Sequence, residues 1–438
     1  MGYLLNTESQ QREMLAALGL SSLNELHRDL PESLILRGGP DIPGGAGEQA
    51  ILESFEEMAA KNTVYPVIFR GAGAYKHYIP AIVPEMVNKE RFKTGYTPYQ
   101  AEVSQGTLQS IFEFQTMICE LTGMDISNAS MYDAASAAAE AVAMCKDKKR
   151  KSALVSQSVN PRVIDTIKTY SWASDAAVDL VPTTGGLTDM DALAQKITDD
   201  TASVTIQQPN FFGLFEDVRA IAELVHGRGA KLIVSVNPIA ASVLSAPGEC
   251  GADIVVGEGQ PLGIPLSFGG PYVGFIAAKA DLSRRIPGRI AGETTDAQGR
   301  RAFVLTLQAR EQHIRRETAS SNICSNQALM AMTASVYMAC LGPGGMQEAA
   351  KQSYSKAHYL SEQLGKIPGF GLRYDAEFFH EFVTECPVDA AKLMLHLGRN
   401  GILGGLPLEG GGVLWCATEM NSRKDMDRLV SLCREVSA

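Results

Sequence analysis

Between residues 153 and 236 short apolar runs alternate with amphipathic stretches, and this alternation constrains the chain more than any other feature of it. Residues 153–156, 177–181, 202–207 and 231–236 have the length and β-branched content of buried strands. The intervening residues 161–170, 189–198 and 218–228 read as helices. Strands that alternate with helices form a mostly parallel sheet with helices on both faces, so the predicted fold class is α/β. Sheets of this wiring bind ligands beyond the C-terminal ends of their strands. Two such ends are Gln208-Pro209-Asn210-Phe211-Phe212-Gly213 and Asn237-Pro238, and a site is expected there.

A further apolar pair, residues 252–256 and 272–278, brackets GEGQPLGIPLSFGGPYVG, the stretch from Gly257 to Gly274. Backbone so rich in Gly and Pro turns sharply or approaches another group closely. In α/β chains that bind pyridoxal phosphate (PLP), a strand, a glycine-rich loop and a second strand in this order carry the lysine that forms an imine with the cofactor. Here Gln260 and Pro261 stand in that place, and neither side chain forms an imine. Such chains also end the strand equivalent to 231–236 with an aspartate for the pyridinium N–H; Asn237 is neutral and supplies no carboxylate. The small residues of 128–136 lead into an alanine-rich helix, 137–144, whose free N–H groups would suit a phosphate or close packing equally well. Lys231 opens a strand at the sheet end away from the crevice, and Lys279 lacks a glycine-rich continuation, so neither replaces the missing amine.

At 438 residues the chain exceeds one ordinary core, and three parts are expected: 1–65, 66–342 and 343–438. The first reads as helical, with Thr7 ahead of 8–15, capping-box spacing between Ser22 and Glu25, and helical character again over 54–61. Residues 104–122 form a long amphipathic pattern. Helical runs at 324–340 and 346–364 flank Gly342-Pro343-Gly344-Gly345, and strand-like pieces at 371–374, 378–384 and 412–418 suit a small α+β domain in which Arg399 lies at the surface. A net charge of −10 argues against nucleic acid as partner. The basic run 146–151 is a solvated helix end. Eight scattered cysteines, without CxxC or a paired spacing to His, point to a reducing compartment and no metal centre. No window nears 18 consecutive apolar residues and the N-terminus lacks the marks of a secretory signal, so a cytoplasmic chain without a membrane span is expected. Two glycine-containing aromatic loops, 70–78 and 95–100, have the make-up of site walls. His77 within the first is expected to be structural rather than a general base.

Tyr96-Thr97-Pro98-Tyr99-Gln100 with Glu102-Val103-Ser104-Gln105-Gly106, the loop 260–271, and Arg310-Glu311-Gln312-His313-Ile314-Arg315-Arg316 with Ser321-Asn322-Ile323-Cys324 follow one another across the chain. In these motifs it resembles the P-protein (glycine decarboxylase) family of the glycine cleavage system over nearly its whole length. More narrowly it resembles subunit 1 of the two-subunit bacterial form, equivalent to the N-terminal half of the single-chain form. The resemblance implies the fold-type I PLP-dependent transferase architecture and a homologous subunit 2 that carries PLP on its lysine, with two copies of each subunit. Together the subunits would decarboxylate glycine and pass the aminomethyl group to the lipoyl group of H-protein, whose disulfide is reduced. It also implies roles for residues of this chain. Tyr75, His77, Tyr96, Thr97, Tyr99 and Gln100 would shape the channel for glycine or the lipoyl arm, and Arg315 would serve subunit contact or carboxylate recognition. Ser320 and Ser321 would reach the phosphate of the partner's PLP, against a simpler use as helix N-caps. The rival readings are a non-catalytic scaffold or regulator that keeps the fold, and a self-sufficient PLP enzyme with an unorthodox lysine.

Overall fold

The structure, a computed structural model, describes residues 5–36, 38–93, 100–310, 312–319, 323 and 325–437. The chain divides into two compact units, Met1–Val64 and Tyr65–Ala438. The second is built on a sheet of β1 (Ile126–Ser127), β2 (Ser152–Ser156), β3 (Val178–Val181), β4 (Thr201–Gln208), β5 (Lys231–Val236), β6 (Ile254–Glu258) and β7 (Gly274–Ala278). These lie side by side in the order β1-β7-β6-β5-β4-β2-β3. Strands β3, β2, β4, β5 and β6 pair in parallel, while β7 runs antiparallel to β6 and to β1. Parallel strands need crossover connections, and the helices Pro161–Ala173, Met190–Lys196 and Val218–Gly227 supply three of them, with the short helix Pro238–Ala241 on the way from β5 to β6. The elements expected over 153–236 are thus present, with ends shifted by a residue or a few.

Alternation along the strands explains why both faces are covered. Val204, Ile206, Leu232, Val234 and Val255 enter one core, while Ala202, Ile233, Ile254 and Val256 enter the other. Period-2 side chains that are apolar on both faces bury a strand completely. The crossover helices begin at side-chain caps: Asn160, Asp189 and Asp217 each accept a backbone N–H of the first turn. Each such cap is worth about 1 kcal/mol.

Helix Ala328–Gly365 joins the sheet to the C-terminal part of the unit, and its course breaks at Gly342, where φ is 61° and ψ −179° and Pro343 follows. The expected pair of helices is therefore present, the first starting at Ala328 rather than at 324 and the two meeting at the non-helical Gly342, the first glycine of Gly342-Pro343-Gly344-Gly345. Ala331, Ala334 and Tyr337 pack beside the central sheet, and Ala357, Leu360 and Leu364 pack against Phe382 and Trp415. The helix is long and apolar enough to cross a bilayer, but these two cores use its apolar side chains, as they do in a core helix. Beyond it stands an antiparallel sheet of Glu381–Thr384, Val413–Cys416 and Leu406–Pro407, covered by helices Ala390–Arg399 and Arg423–Ser437.

In the first unit, helix Glu8–Ala17 starts with a capping box between Thr7 and Gln10. The box expected at Ser22 does not form. Leu23–His27 is a tighter 3-10 turn, and the Glu25 carboxylate turns to the backbone N–H of Ser21 at 3.2 Å. Helix Glu48–Ala59 begins earlier than Ser54, with the acidic Glu48 favourably placed in its first turn.

Candidate functional site

A cavity of ≈ 310 Å³ lies over the C-terminal ends of β4, β5 and β6, where Gln207, Ser235, Asn237 and Glu258 line it. Asp133 and Ala134, at the start of helix Ala134–Cys145, form a second side, and Gly71 to Tyr75 a third. The crevice predicted from the strand alternation is therefore present at Asn237-Pro238, whereas on β4 it is Gln207 that faces it. Gln208 instead accepts the backbone N–H of Glu216 at 2.8 Å.

Gln260 is 2% exposed and its carboxamide clamps the backbone of Tyr75 in both directions. Its Oε1 accepts the Tyr75 N–H at 2.8 Å, and its Nε2 donates to the Tyr75 carbonyl at 2.9 Å and to that of Ile264 at 2.8 Å. A side chain with both a donor and an acceptor is needed for this pairing. Asn237 also serves the backbone, its Oδ1 accepting from Ile239 and Ala240 at the start of Pro238–Ala241. Among the described residues its buried Nδ2 has no partner.

Glu258 is the residue that sequence reasoning missed. Its carboxyl accepts the N–H of Ala134 at 3.1 Å, of Gln260 at 3.1 Å and of Val273 at 3.4 Å. Burial outweighs these donors and pushes its pKa up to about 8. The neighbouring Asp133 accepts the Ser136 N–H at 2.7 Å. Gly274 lets β7 come up against this corner, because a Cβ there would lie 2.2 Å from the Asp133 carbonyl oxygen. Gly274→Ala is accordingly expected to cost about 3 kcal/mol, measurable as a lower urea midpoint.

PLP would need an amine for its imine, a carboxylate for its ring nitrogen and free donors for its phosphate. The residues present do not fit it. Gln260 and Asn237 lack the first two, and two N–H groups at the helix start are already held by Glu258 and Asp133. Lys231 stands at the start of β5, opposite the cavity, and Lys279, at the far end of β7, lies 3.7 Å from Asp253.

Gly71 to Tyr75 form a cavity wall, but the polar side chains of Tyr75 and His77 are held by internal partners. Tyr75 donates to Glu381 at 2.7 Å, and the Ala72 N–H reaches the other oxygen of that carboxylate at 2.6 Å. His77 meets Glu419 at 2.7 Å and does not line the cavity; the Tyr78 N–H donates to the same carboxylate at 2.7 Å. Burial pushes Glu381 up to about 7. Glu419 is held below the usual range by its hydrogen bond to His77 and the charge of that ring, against burial, which acts the other way. Gln100 and Arg315 are exposed and away from the cavity, with the Arg315 guanidinium on the Ala309 carbonyl at 3.1 Å. Tyr96, Thr97, Tyr99, Ser320 and Ser321 lie outside the described residues.

A mostly parallel sheet with a cavity over its strand ends, closed by a helix N-terminus and a strand–glycine loop–strand unit, defines a fold-type I chain, the architecture of PLP-dependent enzymes. One solved structure of that fold is a C-DES variant with glycine covalently linked to its PLP cofactor, similar at a TM-score of 0.63 and 13% identity over 86% of this chain and 98% of that one. The profile of the glycine cleavage system P-protein family matches residues 1–433, and the chain belongs to that family. It is 45% identical to the probable glycine dehydrogenase (decarboxylating) subunit 1 of Desulfitobacterium hafniense over 100% of both chains. It is also similar to glycine decarboxylase, the P-protein of the glycine cleavage system, in an inhibitor-bound crystal structure, with a TM-score of 0.93 and 40% identity over 100% of both chains.

Proposed function

We propose that this chain is subunit 1 of a glycine dehydrogenase (decarboxylating), the member of the pair without a Schiff-base lysine. A homologous subunit 2 carries the PLP, which supplies the electron sink for decarboxylation of glycine. The assembly, with two copies of each subunit, passes the aminomethyl group to the lipoyl arm of H-protein in the cytoplasm. The observation that carries this reading is the Gln260 clamp: the place of the imine-forming amine is taken by a buried carboxamide bonded to the Tyr75 backbone. In this reading residues 66–342 are the large domain and 343–438 the small one. Tyr96, Thr97, Tyr99, Gln100, Arg315, Ser320 and Ser321 are this chain's contributions to the partner's site, while Tyr75 and His77 hold the loop beside it. The test is glycine–bicarbonate exchange with the purified chains. Activity is expected only when both are mixed, with at least a hundredfold gain over either alone. Exchange by subunit 2 that is indifferent to this chain would support the scaffold or regulator reading instead.

A further inference from the structure

We infer that the cavity over β4, β5 and β6 binds a small α-amino acid, with its carboxylate on Arg162 and Ser235 and its ammonium on Asp133. Gln207, Ser235, Asn237 and Glu258 reach this cavity together because the strand register sets them on one face of the sheet. Gln207 pairs with Ser235 and Ser235 with Val256, and Asn237 and Glu258 each lie two residues further along the chain. Helices Ala134–Cys145 and Pro161–Ala173 pack on that face, which brings Asp133 and Arg162 to the same cavity. Two of the polar side chains there are fully used. Gln207 accepts the Asn160 N–H at 2.9 Å and donates to the Pro209 carbonyl at 3.1 Å. Asn160 donates to the Ala72 carbonyl at 3.0 Å and accepts the Arg162 backbone N–H at 3.0 Å. Other donors are not used. Among the described residues the Arg162 guanidinium and the Ser235 hydroxyl have no hydrogen-bond partner, nor has the buried Nδ2 of Asn237. Ser235 is 6% exposed. Buried donors left unpaired are uncommon in a folded chain, and a ligand that brings acceptors satisfies them.

The chemistry of the lining selects the ligand. Among the described residues Arg162 is the one cation in it, and the planar fork of guanidinium N–H groups matches a carboxylate. Asp133 uses one oxygen to cap the Ser136 N–H at 2.7 Å, and among the described residues the other has no partner. An anion seated beside that carboxylate is repelled unless it carries a positive charge of its own, as an amino acid does and a phosphate dianion does not. Glu258, raised to about 8, stays largely uncharged at neutral pH and adds no repulsion. The volume of ≈ 310 Å³ suits a small molecule. The test titrates this chain alone, without subunit 2 or PLP, with carbon-labelled glycine, acetate and methylamine, followed by NMR line broadening. Glycine is expected to bind with a Kd of about 1 mM, and acetate and methylamine at least tenfold more weakly. Arg162→Gln and Ser235→Ala should each raise the Kd for glycine at least tenfold. Asp133→Asn, which keeps the helix cap, should do the same for glycine and leave acetate unchanged. Arg162 is exposed, so Arg162→Gln is expected to leave the unfolding midpoint of the free chain where it was. Absence of saturable glycine binding would overturn the inference, as would binding that survives Arg162→Gln and Ser235→Ala. Acetate as tight as glycine would overturn the assignment to an amino acid. None of these readings involves the activity of the assembly, so a failure of the two-subunit function is a separate outcome.

Discussion

Gln260→Lys is expected to lower the stability of the chain by about 3 kcal/mol and still to leave it without covalently held PLP. Lysine has donors and no acceptor, so the Tyr75 N–H that now lies 2.8 Å from Gln260 Oε1 would lose its partner. An ammonium would also replace a neutral amide at a position that is 2% exposed. Restoring the amine leaves the rest of the site unchanged. Glu258 would still hold the Ala134 N–H and Asn237 would still be neutral. Urea unfolding reads the stability, and borohydride reduction after addition of PLP, followed by peptide mass analysis, reads the cofactor. A variant of unaltered stability that acquires a pyridoxyl group at position 260 would contradict the account of the clamp.

Stability is expected to fall as the pH is raised from 5 to 8, by on the order of 3 kcal/mol from Glu381 alone. Glu381 is 4% exposed, and its pKa is raised from 4.5 to about 7, chiefly by burial. Between those values the unfolded chain has released a proton that the folded chain keeps, so the contribution is whole below 4.5 and is lost as the pH passes 7. Glu258, raised to about 8, acts in the same direction. Glu419 is lowered and acts oppositely, giving stability that is lost only as the pH drops below the ordinary glutamate range. Urea midpoints across this range should slope downward for the unaltered chain and much less for Glu381→Gln. An unaltered slope in that variant would place the dependence elsewhere.

The strands of the central sheet were legible because their signal is local: apolar period and β-branching over four to six residues mark 153–156 and 231–236 whatever lies around them. Gln260 and Asn237 were legible as substitutions because chain order alone fixes which loop and which strand end they occupy. Glu258 was not, since its role depends on Ala134, far away in the chain, and a carboxylate in a glycine-rich loop reads as solvated. The same holds for Tyr75, whose hydroxyl reads as a site group until Glu381 is placed beside it. The box predicted at Ser22 failed because spacing does not distinguish a 3-10 turn from the first turn of an α-helix.

In the proposed assembly this chain takes part in the reaction without holding the cofactor. This is tested most directly by reducing the assembled, active two-subunit enzyme with borohydride, digesting it and locating the pyridoxyl group by mass spectrometry. The label is expected on a lysine of subunit 2 alone; a pyridoxyl group on any lysine of this chain would overturn the assignment of the cofactor to subunit 2.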